Sequence, residues 1–419
     1  MPKAWPPSPR SARQGSQGVD ALPATPIRSA PVIRIFAATP FYLQGVGALA
    51  HVGAVAARHG RKPGLIIDAR VRPLVGDAIR ASFAVPPRDV AFAGEVTDGN
   101  IAFLSQEMAG SDVIIGVGGG KALDAAKGVA LRIGSPFLSV PTIASNDGPA
   151  SRGIAIYDDT HQLVRVDQLP SNPVAVIVDS AIIARAPPHF LRAGIGDAIA
   201  KTFEAQACAR TATRTKQGTT ATHAALAIAD AAYRLLRTHA EAALASVARG
   251  EHSEALEATI EACILLSALG FENGGLSIAH SVTRGLLRLD GAKERLHGEH
   301  VAYGVLVQLV VERRPNATLV EMAAFLTRIG LPVSLADLGV RAVTPELIET
   351  TAAVILSSPH VRATDRHLTQ GDIAAAIRFV ETLPARAPRA PESGVTYVIS
   401  HGAGWTPPRV CPTPGARSG

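Results

Sequence analysis

Gly118, Gly119, Gly120 and Lys121 lie between an apolar run over 113–117 and a helical pattern marked by Leu123, Ala126 and Val129. Glycines at a strand-to-helix junction let backbone N–H groups approach a phosphate, and the start of a helix favours its negative charge. The chemistry on offer is nucleotide binding, with a pyrophosphate as the group held. The competing reading is an ordinary tight turn. Two familiar patterns do not fit. A phosphate loop of the GxxxxGK[ST] type needs glycine where Ile115 stands and a hydroxyl where Ala122 stands. A GxGxxG turn needs glycine where Lys121 stands.

Three other groups could hold a divalent metal. Asp197 sits in the segment Gly-Ile-Gly-Asp-Ala-Ile-Ala-Lys over 194–201, where the pattern places it at a helix start. His280 falls in a helical stretch of small residues, and His297 opens another helix. One carboxylate and two imidazoles suit a metal that keeps an open position for substrate. Each also has a plainer reading, Asp197 as a helix cap and the histidines as hydrogen-bonded core or surface groups. His300 is a rival for His297, one turn along. The segment 141–149 adds Thr142, Ser145 and Asp147. Its Asn-Asp-Gly-Pro run is turn chemistry; it also follows a strand, and α/β sheets bind ligands beyond the carboxyl ends of their strands. No Ser-His-Asp or reactive-cysteine arrangement suggests a covalent nucleophile.

Two kinds of structure are needed to position these groups. Short apolar runs over 32–37, 64–67, 90–92, 113–117, 137–140 and 174–178 alternate with helical stretches. That is the pattern of parallel strands linked by helices. From Pro188 to Leu383 the strand signals stop, and Ala- and Leu-rich helical segments such as 221–237 and 255–269 take over. The sequence therefore predicts an α/β nucleotide-binding domain over 31–187 and an all-helical metal-binding domain over 188–384, with the site in the cleft between them. Residues 1–30 read as a disordered tail, and 385–419 as a Pro- and Arg-rich tail with a short strand over 395–400.

Composition narrows the function classes. With 47% hydrophobic and 18% charged residues, the 419-residue chain is globular in type. The net charge is +6, but each tail holds four basic residues against one acidic residue, so 31–384 is formally neutral. A neutral body has no basic footprint for nucleic acid. The three cysteines, Cys208, Cys263 and Cys411, form no CxxC pair, which argues against a disulfide framework or a cysteine zinc site. No apolar stretch is long enough to span a bilayer, and there is no secretory signal core, so the expectation is a cytoplasmic protein with no membrane partner.

Taken together and in this order, the segments GVGGGKALDAAK, VPTIASND, GIGDAIAK and HGEHVAYG resemble the glycerol dehydrogenases of the metal-dependent alcohol dehydrogenase and dehydroquinate synthase-like superfamily. The resemblance begins at the segment 41–49 and runs to Leu383. It implies a Rossmann-like α/β domain followed by an all-α domain. It implies that Gly118, Gly119, Gly120 and Lys121 lie under the NAD pyrophosphate. Thr142, Ser145 and Tyr157 then line the cofactor, and Asp68 holds the adenosine ribose. A carboxylate there repels a 2′-phosphate and favours NAD over NADP. Asp197, His280 and His297 match the three zinc ligands, and Asp147 the aspartate beside the bound polyol. The activity implied is NAD-dependent oxidation of glycerol, or a similar small vicinal diol, to dihydroxyacetone by hydride transfer from a zinc-bound alkoxide. A homo-oligomer is also implied.

Two departures bear on this. Iron-type members of the superfamily carry a further histidine one turn after the metal aspartate, where this chain has Lys201. The chain therefore resembles the three-ligand, zinc-using branch. Glycerol dehydrogenases usually have Thr-Asp-Ala where this chain has Asn146, Asp147 and Gly148. This keeps open a glycerol-phosphate or 2-hydroxy-acid dehydrogenase, and a dehydroquinate synthase-like lyase. Arg152 is either a solvated residue or the partner of such an anion.

Overall fold

A computed structural model describes residues 33–383. Both tails, the strand expected over 395–400 and Cys411 lie outside the described residues. Eight strands form in chain order: β1 Tyr42–Gly45, β2 Pro63–Asp68, β3 Arg88–Phe92, β4 Val113–Gly118, β5 Phe137–Pro141, β6 Gly153–Tyr157, β7 Leu163–Gln168 and β8 Ala175–Asp179. Six make one sheet in the order β1-β8-β5-β4-β2-β3, with every pairing parallel. β4, β5 and β8 are buried along their whole length. Helices on both faces demand near-continuous Val, Ile and Leu in such strands. From β2 the chain steps to one side for β3 and then to the other for β4. The carboxyl ends of β2 and β4 therefore flank a topological switch point, where α/β sheets bind their ligands.

Two local expectations change. The described part of the run over 32–37, residues 33–37, forms no strand. Its backbone finds side-chain partners instead, Ile35 N–H donating to Thr219 Oγ1 at 3.1 Å and Ala37 exchanging two 2.8 Å hydrogen bonds with the Asn273 amide. The sheet's first strand comes later, at β1. The antiparallel hairpin β6–β7, which no apolar run signalled, stands apart from the main sheet.

After Asp179 every regular element among the described residues is helical. The helix His297–Val311 runs through the centre, with Val301, Tyr303, Leu306 and Leu309 fully buried. Its neighbours come unusually near. A Cβ at Gly298 would lie 1.7 Å from the Ala193 carbonyl oxygen, and one at Gly196 would lie 2.3 Å from that of Gly298. Only glycine permits this backbone-to-backbone contact. It locks the helix Pro188–Ala198 against the start of His297–Val311, which brings Asp197 to His297. No single helix among the described residues is long and apolar enough to cross a membrane.

Candidate active site

The glycine segment occupies the switch point. Gly118 ends β4 at φ +143°, a conformation L side chains rarely adopt, and the helix Gly120–Ile133 starts two residues later. The register pairs Ile67 with Val117, which sets Asp68 beside the loop. A Cβ at 118 would lie 2.8 Å from Asp68 Cβ and 2.9 Å from Ala122 Cβ, and one at 119 would meet Ile143 Cδ1 at 2.9 Å. The backbone is bare where a phosphate would need to approach, at a helix start of 14 residues. Thr142 N–H donates to the Gly118 carbonyl at 3.0 Å, while Thr142 Oγ1 is buried with no partner among the described residues. A bare glycine cradle, a buried unpaired hydroxyl and a carboxylate at the next strand end fit a dinucleotide. Ser145 follows in the same loop, and Tyr157 closes β6, its phenol pushed up to about 12 by burial.

Lys121 does something the sequence did not signal. Its ammonium lies 2.6 Å from Glu95, whose carboxylate also sits 2.7 Å from His161 Nδ1. Gly118→Ala is expected to cost about 2 kcal/mol of local strain, about thirtyfold in NAD affinity. Fluorescence titration with NADH measures it, and an unchanged Kd would remove the loop from the cofactor site.

Asp197, His280 and His297 do come together, with one donor atom from each lying within 4.8 Å of the others. Asp197 is not at a helix start. It lies next to the last residue of Pro188–Ala198, where the helix dipole disfavours an anion, so a capping role is ruled out. One ammonium and two imidazoles face it. Lys201 Nζ donates to Asp197 Oδ1 at 2.8 Å, and His280 Nε2 lies 3.2 Å and His297 Nε2 3.8 Å from the same oxygen. Although burial alone would push it up, the Lys201 ammonium, with His280 and His297, holds the Asp197 carboxyl far below the usual range. His297 is the open side of the group, at 46% side-chain exposure, against 1% for Asp197. His300 is no rival. It is buried, with Nε2 2.7 Å from the Ala292 carbonyl.

Glu204, which the sequence reading missed, organises His280. Its carboxylate accepts from the backbone N–H of Ser277 and His280 and lies 2.7 Å from His280 Nδ1. With Nδ1 committed to Glu204, Nε2 is the nitrogen left to face Asp197 and Lys201. This carboxylate–imidazole relay is how proteins orient a metal-ligating histidine. Its only sequence signal is spacing: Asp197, Lys201 and Glu204 recur along one helical face. One carboxylate, two imidazoles and an orienting carboxylate suit a divalent metal.

Asp147 joins this group. Its backbone N–H donates to Asp197 Oδ2 at 3.3 Å, and its Oδ2 lies 3.0 Å from both Lys201 Nζ and Ser267 Oγ. Burial, then the neighbouring Asp197, pushes the Asp147 carboxyl up despite Lys201. Ser267 follows a π-helical turn over Ala262–Leu266, a distortion often found at functional sites. The loop itself is held by Lys127, fully buried, whose ammonium donates to the carbonyls of Gly148 at 2.7 Å and Gly153 at 2.9 Å and to Asp124 at 3.2 Å. Within the turn, Asn146 Oδ1 accepts from Gly148 N–H. Arg152 points elsewhere, bonded to Gln217 and 3.8 Å from Glu272. Burial pushes the thiols of Cys208 and Cys263 up, to about 12 for Cys208, which suits neither to nucleophilic work.

Known proteins are similar to this chain in sequence and fold. Residues 44–187 match the family model of the iron-containing alcohol dehydrogenases. A glycerol dehydrogenase of Thermotoga maritima is 39% identical over 308 residues, 73% of this chain and 85% of that protein. Hydroxycarboxylate dehydrogenase A of Escherichia coli is 31% identical over 73% of this chain and 85% of its own length. The crystal structure of glycerol dehydrogenase from Schizosaccharomyces pombe superposes with a TM-score of 0.80, at 33% identity, over 84% of this chain and 91% of that one. With the sheet order, glycine cradle and donor set already in place, this chain belongs to the iron-containing alcohol dehydrogenase family and, within it, to the group of the glycerol dehydrogenases.

Proposed function

We propose that the protein is a cytoplasmic enzyme that oxidises glycerol, or a similarly small vicinal diol, to dihydroxyacetone or the matching ketone with NAD. One observation carries this reading: the glycine cradle and the donor set are separated only by the segment 143–147. Ile143 packs at Gly119, Asn146 Nδ2 lies 3.8 Å from the Cβ position of Gly120, and Asp147 donates to Asp197.

Zinc held by Asp197, His280 and His297 would supply Lewis acidity to a substrate hydroxyl. Asp68 and the bare backbone of 118–120 would hold NAD, whose nicotinamide accepts the hydride. Asp147 accepts a hydrogen bond from the neighbouring hydroxyl and so selects a diol, while Lys201 and Ser267 keep its carboxylate in place. Glu204 keeps His280 in the tautomer that presents Nε2.

The test is NADH formation from glycerol at alkaline pH, before EDTA, after it, and after zinc is restored. Glycerol-dependent NADH that disappears with EDTA and returns with zinc supports substrate class, cofactor and metal together. Asp147→Asn is expected to lower turnover of glycerol by about tenfold to a hundredfold and that of a simple primary alcohol by much less. Equal losses on both substrates would refute the orienting role. The relative that acts on hydroxycarboxylates makes a 2-hydroxy acid the second substrate to try. Arg152 already lies 3.8 Å from the Glu272 carboxylate and bonds Gln217 through one terminal nitrogen, which weakens its pull on that acid. Activity on a hydroxy acid or on glycerol phosphate and none on glycerol would replace the proposal. NAD-dependent conversion without NADH build-up would indicate a lyase.

A further inference from the structure

The hairpin β6–β7 leaves one strand edge bare. The outer edge of β6 is occupied: Ala155 N–H donates to Asp124 and Tyr157 N–H to the Val96 carbonyl. Those groups point away from β7, so the facing pairs Ile154–Asp167 and Ile156–Arg165 carry the bonds between the strands. By the same alternation, Val166 and Gln168 turn their N–H and C=O groups outward, where no partner pairs with them among the described residues. Edges of this kind are usually blunted by lysine, proline or a covering element. The segment Leu163–Gln168 contains neither residue. It also exposes Leu163, Val164 and Val166, at 49%, 57% and 49%.

The strand is complementary to itself. In an antiparallel pair related by a twofold axis through Val166, Val166 faces its own copy and exchanges two backbone hydrogen bonds with it. Arg165, whose guanidinium bridges Asp98 and Asp167 within one chain, then faces the copy's Asp167, and Asp167 the copy's Arg165. Opposite charges directly across a ladder stabilise it, and no like charges face each other. A twofold axis at an outward-facing residue is the geometry an isologous interface needs. We propose that β7 pairs antiparallel with β7 of a second copy of this chain about Val166, joining two hairpins into one four-stranded sheet. This rests on the edge and its charge pattern, independently of the substrate.

The full-length protein is to be examined by sedimentation velocity, with hydrogen exchange read at the Val166 and Gln168 amides. Wild type is expected to sediment as an assembly of identical chains with both amides protected. Val166→Lys sets two ammonium groups against each other at the axis and should halve the assembly mass and release the protection. Arg165→Asp, made in an Asp98→Asn background because Asp98 is the partner of residue 165 within the chain, opposes two acidic groups and should do the same, and adding Asp167→Arg should restore the mass. A folded Val166→Lys protein of unchanged mass overturns the proposal, as does a wild-type monomer whose amides are protected, since a tail of the same chain would then cover the edge. Failure of the charge exchange to restore the mass overturns the register about Val166.

Discussion

Asp197→Ala is expected to strip the protein of bound zinc and lower kcat for glycerol by about a thousandfold or more, since Lewis-acid stabilisation of a developing oxyanion is worth several kcal/mol. The reason lies in the inventory of donors. Asp197 is the one ligand that contacts both histidines, Lys201 and the Asp147 backbone, and it is buried and ionised. Removing it leaves the buried Lys201 ammonium with Asp147 as its one remaining ion-pair contact among the described residues. Two further variants separate metal loss from general damage. Glu204→Gln keeps the size of the side chain but weakens its hold on His280, and should lower zinc affinity by about tenfold to a hundredfold. His300→Ala should keep its metal, because His300 bonds the Ala292 carbonyl and not the site. Metal content by mass spectrometry, with affinity by chelator competition, reads all three. Zinc retained in Asp197→Ala at wild-type stoichiometry would rule out the three-ligand assignment.

Lys127→Met should be the most damaging change outside the metal ligands. The side chain is fully buried, and its ammonium satisfies two carbonyls and a carboxylate. Methionine fills much the same space but leaves Gly148 O, Gly153 O and Asp124 without this donor. Breaking a buried charge network in this way costs about 3–5 kcal/mol. Urea unfolding measures that loss. The functional consequence is separable from it. Gly148 adjoins Asp147, so releasing its carbonyl frees the loop that aims the carboxylate. Even in protein that is fully folded at low temperature, glycerol turnover should fall, by up to about a hundredfold for a displacement near 1 Å, while NADH affinity changes little. Wild-type kcat in the folded variant would show that Lys127 acts on stability alone.

How far the sequence could be read depended on how local the physical signal was. β2, β4, β5 and β8 were legible because strands covered on both faces must be apolar throughout, and that shows in single runs of residues. The glycine cradle was legible for a similar reason, since bare backbone between a strand and a helix has few other uses. The hairpin was not: β7 is exposed at nearly every position, so burial left no pattern to find. The run over 32–37 looked like a strand because it is apolar, but what pairs with a backbone is not written in the run itself; here it was Thr219 and Asn273.

The same division runs through the site. Sequence alone determined which residue types were present for chemistry: a glycine loop, an Asp with two His, a turn carrying Asp147, and a body without net charge. Tertiary structure decided which of them meet. It placed Asp197 at a helix end instead of a start, turned His300 away, gave Lys121 to Glu95, and brought in Glu204 and Lys127. Propensity, periodicity and turn chemistry act over a few residues, and they leave their mark in adjacent letters. Hydrogen bonds and ion pairs depend on distances in space, and here they join groups 76 positions apart, as His280 and Glu204, or 50 apart, as Asp147 and Asp197. Those distances were set by the packing of helices through glycines such as Gly298, and only the folded chain contains them.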